Sequence, residues 1–312
     1  MSILLLGDLS QEAYATWRSQ LSLHLPQNEQ LVLATQHYDR AAIDIALVAN
    51  PPRGALANHP NLRFVQCLWA GVDRLLSDPA LPAHITIARL IDPALTQAMV
   101  ECAIASVFYL HRQIPTYREQ QAAGTWCQLP QPTTANRPIG VLGLGQLGHA
   151  VARALAGLGF PVMGWSLATR SGADIESYSG ADGLARLLRR AEILVNLLPL
   201  TAATAGILNE DLFAQMPAGA ALVNLGRGGH LVEEHLLTAL ATGQLSHAVL
   251  DVFSVEPLPA SHPFWLHPRI TVFPHVAAYT EPSTAARVVA QNIAAFRAQR
   301  AVSGLVSPSR GY

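Results

Sequence analysis

The stretch IGVLGLGQLGHAVARALAGLG, at Ile139–Gly159, decides the fold of this chain. A short apolar run, Ile139–Leu142, predicts a buried strand, and Gly143-Leu144-Gly145-Gln146-Leu147-Gly148 follows it as G-x-G-x-x-G. Apolar residues then recur at helical spacing over Leu147–Leu158. The glycines allow a tight turn, a close approach of backbone to pyrophosphate, and packing of helix on strand. Free N–H groups at the helix N-terminus add an attraction for phosphate. The stretch predicts a dinucleotide-binding unit, and a glycine-rich turn without a ligand is the alternative.

The end of the next predicted strand bears on which dinucleotide binds. Such units usually carry a carboxylate there, which bonds the adenine ribose and would repel a 2′-phosphate. Here the strand ends on Trp165-Ser166, and Arg170 follows as a candidate partner for phosphate. We therefore expect NADPH to be preferred, with NADH as the alternative. Arg170 as a solvated surface arginine is the competing interpretation.

Apolar runs alternate with helical patterns along the rest of the chain, which predicts α/β architecture with two doubly wound parallel-sheet domains. A long helical pattern covers Ala94–Ala123, with a bend expected at Pro115, and a last amphipathic helix covers Ser283–Arg297. The remaining strand-like runs are Ile3–Leu6, Leu31–Ala34, Ile45–Ala49, Leu62–Leu68, Ile85–Leu90, Val162–Trp165, Ile193–Leu198, Ala221–Leu225, Ala248–Val252 and Ile270–Phe273.

Three polar residues each follow a predicted strand of the second half: Arg227, Glu256 and His275. Because ligands of open parallel sheets bind outside the carboxyl ends of the strands, we expect them to converge near the nicotinamide. Histidine can exchange a proton near neutrality, a carboxylate can orient it, and an arginine fork matches a 2-keto acid. The prediction is hydride transfer to or from a small 2-keto or 2-hydroxy acid. A loop arginine, a solvated turn glutamate and a structural histidine are the competing interpretations.

In the first half, Trp69, Ala70 and Gly71 end a predicted strand. Small residues there leave backbone N–H groups accessible where the next helix begins, so this turn is a candidate site for the substrate carboxylate. An ordinary strand-to-helix turn is the alternative.

The composition excludes several classes of protein. Of the 312 residues 13% are charged, and the net charge of −1 argues against nucleic-acid binding. An odd number of cysteines, three, without a C-x-x-C pair indicates neither a disulfide framework nor a zinc site, and a reducing cytoplasm fits. We expect no metal, and no uninterrupted apolar run reaches the roughly 18 residues of a membrane span.

Four segments together resemble the D-isomer-specific 2-hydroxy-acid dehydrogenase family: Val141–Gly148, LVNLGRG at Leu222–Gly228, LDVFSVEP at Leu250–Pro257 and PHVAA at Pro274–Ala278. The resemblance implies a flavodoxin-like substrate domain, 1–98 plus 283–312, and an inserted Rossmann NAD(P)-binding domain, 99–282. It also implies a homodimer joined through the cofactor domains and reduction of glyoxylate and hydroxypyruvate to glycolate and D-glycerate.

The resemblance also assigns residues. It places Arg227, Glu256 and His275 at the catalytic positions, Arg227 and His275 also contacting substrate, and Asp251 at the nicotinamide amide. Further cofactor-lining positions implied in this way are Trp165, Ser166, Leu198, Pro199, Thr204, Leu225, Gly226 and Ala277. Two alternatives stay open: a dehydrogenase for a larger 2-hydroxy acid, and a dinucleotide-sensing binding protein.

Overall fold

The structure is a computed structural model, and it describes residues 2–167, 175–307 and 311. Arg170 lies outside the described residues. The chain divides into two compact units, Met1–Leu95 with Thr280–Tyr312, and Thr96–Tyr279. The predicted domain boundaries, at 98/99 and 282/283, fall three residues beyond each division.

The first unit is a five-stranded sheet in the order β2-β1-β3-β4-β5, and its strands pair in parallel. This is the flavodoxin-like order. The elements are β1 (Ser2–Gly7), α1 (Gln11–Ser22), β2 (Gln30–Leu33), β3 (Ile43–Ala49), β4 (Phe64–Cys67), α2 (Asp73–Leu76) and β5 (Thr86–Ala88), with α9 (Pro282–Arg297) from the far end of the chain. The strand β3 is buried along its whole length, as a central strand covered on both faces requires.

The helix α9 is held to this unit by charge as well as by packing. Its last residue, Arg297, donates to Glu29 at 2.7 and 2.9 Å and to the fully buried Asp44. Farther up the helix, Asn292 donates to the buried Gln66 of β4 at 2.8 Å. Buried polar groups are stable only when paired, so these contacts fix where the C-terminal segment docks.

The second unit is a seven-stranded parallel sheet in the order β12-β11-β10-β9-β6-β7-β8. Counted from β6, this is the Rossmann order 3-2-1-4-5-6 with a seventh strand added. The strands are β6 (Ile139–Leu142), β7 (Val162–Ser166), β8 (Glu176–Ser179), β9 (Ile193–Asn196), β10 (Ala220–Asn224), β11 (Leu245–Leu250) and β12 (Ile270–Val272). The helices are α3 (Pro93–His111), α4 (Ile114–Ala122), α5 (Gln146–Gly157), α6 (Gly180–Leu188), α7 (Glu210–Ala214) and α8 (Glu233–Thr242).

The prediction of one bent helix over Ala94–Ala123 is wrong. The chain breaks at Gln113, whose φ of 55° is left-handed, and α3 and α4 are separate helices. Pro115 lies in the first turn of α4, where its missing N–H costs no intrahelical bond. The proline therefore starts a helix instead of bending one.

Strand β8 was not predicted because Glu176–Ser179 is polar and sits at the sheet edge with every residue at least partly exposed. Hydrophobic patterning detects a strand only where one face is buried.

Among the described residues, α3 is the one helix that is long and apolar enough to cross a membrane, judged by length and composition alone. A third of its most apolar 18-residue window is buried. A core helix of a globular protein can meet the same criterion, so this feature by itself does not indicate a membrane protein.

Candidate active site

Three neighbouring strands of the second unit end at the same edge of the sheet, and each is followed by one predicted catalytic residue. Arg227 follows β10, Glu256 follows β11, and His275 follows β12. Since parallel strands present their carboxyl ends together, the topology brings these loops side by side.

His275 and Glu256 form a hydrogen-bonded pair. His275 Nδ1 lies 2.7 Å from Glu256 Oε2, and Glu256 Oε1 accepts the N–H of Phe253 at 2.9 Å. The two carboxylate oxygens are thus used to fix the glutamate on its own loop and the imidazole against it. Because Nδ1 is engaged, Nε2 is the ring nitrogen left to exchange a proton with a ligand.

The electrostatics of the pair favour a charged histidine. The hydrogen bond to Glu256 raises the pKa of His275 above its usual 6.5, against the opposing effects of burial and of Arg227. Burial would raise the pKa of Glu256, but the hydrogen bonds from His275 and Phe253 outweigh it and lower that pKa. The pair is therefore set to hold an ionised carboxylate beside an imidazolium.

A strained backbone aims His275. Its φ is +55°, uncommon for a residue with a side chain. Its N–H donates to the Asp251 carbonyl at 2.9 Å, and the Asp251 carboxylate accepts the N–H groups of Val276 and Ala277 at 2.7 and 3.0 Å. Burial raises the pKa of Asp251, while these two N–H groups oppose the rise. Asp251 thus positions the histidine loop, a contact that the sequence did not indicate.

The Arg227 loop packs directly against the Glu256 loop. A Cβ added to Gly228 would lie 1.9 Å from the carbonyl carbon of Phe253, so only glycine permits this approach. Arg227 Nη1 donates to the Gly226 carbonyl at 2.9 Å. Its positive charge opposes the rise in the pKa of His275 and contributes to the lowered pKa of Glu256.

The glycine loop has the form of a phosphate cradle. A Cβ at Gly148 would lie 1.7 Å from the Gly143 carbonyl oxygen, whereas a Cβ at Gly145 would meet nothing within 4 Å. The backbone at Gly145 therefore faces open space at the start of α5, whose first N–H groups have no intrahelical partner. These residues fit the pyrophosphate of a dinucleotide.

The family model described as D-isomer specific 2-hydroxyacid dehydrogenase, NAD binding domain, matches residues 104–277. The chain belongs to the D-isomer specific 2-hydroxyacid dehydrogenase family. It is an NAD(P)-dependent oxidoreductase, and the α/β fold predicted from the sequence is confirmed.

Curated and solved relatives cover almost the whole length of this dehydrogenase. The Serratia proteamaculans protein named glyoxylate/hydroxypyruvate reductase A is 43% identical over 95% of this chain and 96% of its own. A Xanthobacter autotrophicus D-isomer specific 2-hydroxyacid dehydrogenase, solved with NADPH and MES, superposes with a TM-score of 0.94 at 36% identity, covering 100% and 99% of the two chains. The NADPH-dependent glyoxylate/hydroxypyruvate reductase of Sinorhizobium meliloti, solved with NADP and sulfate, gives 0.92 at 33% identity, again over 100% and 99%.

Several residues that the resemblance assigned to the cofactor lie beneath the surface of the dehydrogenase unit. Trp165 is 3% exposed and donates from Nε1 to the Gly180 carbonyl at 2.9 Å, so its side chain fixes the start of α6. Thr204 is fully buried and donates to the Pro199 carbonyl at 2.7 Å. The buried members are Trp165, Leu198, Thr204, Leu225, Gly226, Asp251 and Ala277. Their contact with a cofactor stays a prediction.

In the first unit, Trp69, Ala70 and Gly71 are partly buried. Trp69 packs edge-on against Trp17 at 6.3 Å, and its carbonyl accepts the Leu90 N–H at 3.0 Å. The helix α2 that follows is a single turn, so its dipole adds little attraction for an anion. The part of this turn in substrate binding stays a prediction.

Sequence reasoning missed a buried polar cluster under the site, formed by Asn196, Asn224 and His230, each fully buried. Asn196 donates from Nδ2 to Asn224 Oδ1 at 2.9 Å and lies 2.9 Å from His230 Nδ1. A signal was available in the sequence, because the adjacent strands ILVN and ALVN both end on asparagine. Polar residues at the ends of two buried neighbouring strands are expected to pair.

Proposed function

We propose that this dehydrogenase reduces glyoxylate and hydroxypyruvate to glycolate and D-glycerate, with NADPH preferred over NADH. The observation that carries the proposal is the 2.7 Å His275–Glu256 pair with Arg227 beside it, at the same sheet edge as the glycine loop. The names of the Serratia and Sinorhizobium relatives support the substrate class.

The arrangement accounts for the proton and the substrate orientation. Bound NADPH supplies the hydride for the carbonyl carbon. His275 delivers a proton from Nε2 to the carbonyl oxygen, and Glu256 keeps the imidazole protonated and aimed through Nδ1. Arg227 binds the carboxylate and the adjacent oxygen with its planar fork, which also stabilises negative charge developing on that oxygen.

The preference for NADPH rests on the end of β7. The strand finishes on Ser166, and exposed Leu167 follows, so no carboxylate stands there to repel a 2′-phosphate. The Xanthobacter and Sinorhizobium structures hold NADPH and NADP, which supports the same choice.

The test is the rate of cofactor oxidation with glyoxylate and with hydroxypyruvate, using NADPH and NADH in parallel. We expect activity with both acids, a lower KM for NADPH, and loss of activity in His275→Ala. His262→Ala is the matched control, since His262 also pairs with a glutamate, Glu233 at 3.1 Å. Activity confined to bulkier 2-keto acids would show that glyoxylate and hydroxypyruvate are not the substrates. A lower KM for NADH would overturn the cofactor preference. A flat trace with every 2-keto acid would favour a binding protein.

We further propose a cytoplasmic homodimer joined through the cofactor-binding unit. Only a third of the most apolar window of helix α3 is buried, and Trp126, a little farther along the chain, has a side chain that is 93% exposed. Incompletely buried apolar surface of this kind supports an interface. Cys67, Cys102 and Cys127, all among the described residues, form no disulfide with one another, which supports a reducing compartment. Light scattering should give twice the mass of one chain, and half of that value for Trp126→Glu; a monomeric wild-type protein would contradict the proposal.

A further inference from the structure

His230 connects two loops of the site from below. It is fully buried and is the last residue of a short turn, Gly228–His230, that begins directly after Arg227. Its Nδ1 accepts the backbone N–H of Arg227 at 3.1 Å, and its Nε2 lies 3.2 Å from the carbonyl oxygen of Pro199. One imidazole thus contacts the loop that follows β10 and the loop that follows β9.

The hydrogen-bond network fixes which nitrogen carries the proton. The Asn196 amide orientation is set because its Oδ1 accepts the N–H of Leu198 at 3.3 Å, which turns its NH2 group toward His230 Nδ1. Nδ1 therefore faces two N–H donors and must accept, while Nε2 carries hydrogen and donates to Pro199. The ring is a neutral imidazole, and its two nitrogens have separate tasks.

The Pro199 loop lies against the glycine turn that is predicted to hold the cofactor. A Cβ at Gly143 would lie 2.7 Å from the Leu197 carbonyl oxygen and 2.9 Å from the Leu198 nitrogen, so this loop runs in contact with the glycine turn. The Pro199 carbonyl, just beyond, accepts from Thr204 Oγ1 at 2.7 Å as well as from His230. The Pro199 carbonyl is therefore fixed by two hydrogen-bond donors, Thr204 and His230.

We propose that His230 is a positioning residue with two separable functions: it holds Arg227 through Nδ1, and through Nε2 it holds the Pro199 loop, which lies against the glycine turn. The role of His230 in holding Arg227 rests on the proposed function, because it is measured by turnover of the keto acid. It predicts that the two halves of the imidazole can be removed independently, with different kinetic consequences.

The test replaces His230 by asparagine or glutamine, whose side-chain amides can each take the place of only one of the two imidazole nitrogens. In His230→Asn, the side-chain oxygen takes the place of Nδ1 and the donor to Pro199 is lost. We expect NADPH to bind roughly fivefold more weakly, the fold-change for one neutral hydrogen bond, with kcat at saturating NADPH unchanged. In His230→Gln, the terminal amide takes the place of Nε2 and the acceptor for Arg227 is lost. We expect kcat/KM for the keto acid to fall roughly 10–100-fold with NADPH affinity unchanged, since a displaced clamp misorients the substrate.

NADPH affinity is measured by fluorescence titration. The position of Arg227 is also tested by the affinity for oxalate, an unreactive dicarboxylate that the guanidinium is expected to bind. The matched controls are His247→Asn and His247→Gln, because His247 is similarly buried but bonds only to the side chain of Thr271 among the contacts described. Parallel loss of both parameters in the two His230 variants, or the same losses in the His247 variants, would reduce His230 to a structural residue and overturn the proposal.

Thr204→Val keeps the proposal testable if the His230 variants do not fold. It removes the other donor to the Pro199 carbonyl, so it should weaken NADPH binding and leave kcat at saturating NADPH unchanged. A fall in kcat there would show that the two loops are not held separately. If wild-type protein turns over no 2-keto acid, the proposed function fails, whereas the NADPH and oxalate titrations still decide the role of His230.

Discussion

Replacing Glu256 by glutamine removes one charge and one acceptor. The carboxylate now accepts from two groups, the N–H of Phe253 and Nδ1–H of His275. An amide has a single oxygen, so Glu256→Gln can satisfy only one of them as an acceptor. With the amide oxygen on Phe253, its NH2 group faces Nδ1 and opposes protonation of the ring.

The magnitude follows from the exposure of the pair. A hydrogen bond to a charged group contributes about 1.5–3 kcal/mol. The side chains of His275 and Glu256 are 50% and 34% exposed, so solvent screening favours the lower end. At about 1.36 kcal/mol per decade, roughly 1.5 kcal/mol corresponds to about a tenfold fall in kcat/KM for reduction.

The sign of the pH effect is fixed as well. Reduction needs protonated His275, so kcat/KM falls as pH rises through the pKa of that residue. The wild-type midpoint should lie above 6.5, because Glu256 raises this pKa. In Glu256→Gln the opposing effects of burial and Arg227 remain, so the midpoint should move to lower pH.

The assay is the pH profile of kcat/KM for NADPH-dependent glyoxylate reduction, with melting temperatures for every variant. Glu233→Gln is the control, since Glu233 pairs with His262 in the same unit at 3.1 Å. An unshifted midpoint in Glu256→Gln, or an equal shift in Glu233→Gln, would refute the assignment of Glu256 as the partner that keeps the catalytic histidine protonated.

Three further substitutions test the surrounding site and the fold. Arg227→Lys replaces a bidentate fork by a point charge, so kcat/KM for the keto acid should fall roughly 10–100-fold while NADPH titration gives an unchanged affinity; equal activity would contradict the clamp. Asp251→Asn can accept only one of two backbone N–H groups, so urea unfolding should report a loss of about 1–3 kcal/mol together with a lower kcat, and full activity would remove Asp251 from the positioning of His275. His247 has its pKa lowered by burial to about 4, so the unfolded chain binds its proton first as pH falls below 6.5. Wild-type stability should therefore decline between pH 6.5 and 4 more steeply than that of His247→Gln, and parallel urea midpoints across that range would show that His247 does not contribute.

Most of the fold was accessible from patterning, because parallel sheets bury central strands on both faces and leave continuous apolar runs. Strand β6 and the helix after the glycine loop were predicted within one residue of their observed bounds. The edge strand β8, Glu176–Ser179, escaped detection because little of it is buried. The break at Gln113 was also missed, since a left-handed residue with a side chain has no distinctive sequence signal.

By itself, the sequence determined the cofactor class, the parallel α/β architecture and the choice of Arg227, Glu256 and His275 as candidate catalytic residues. These follow from local rules: glycines where a phosphate approaches, and polar residues directly after apolar strands. Only the tertiary structure decided how the three are held, through the Asp251 carboxylate under the His275 turn and the His230 ring between two loops. Apart from the local bond between Arg227 and His230, those contacts join residues 25 or more positions apart, as between Asp251 and Val276 or His230 and Pro199. Such pairings exist only once the strands lie side by side in the sheet.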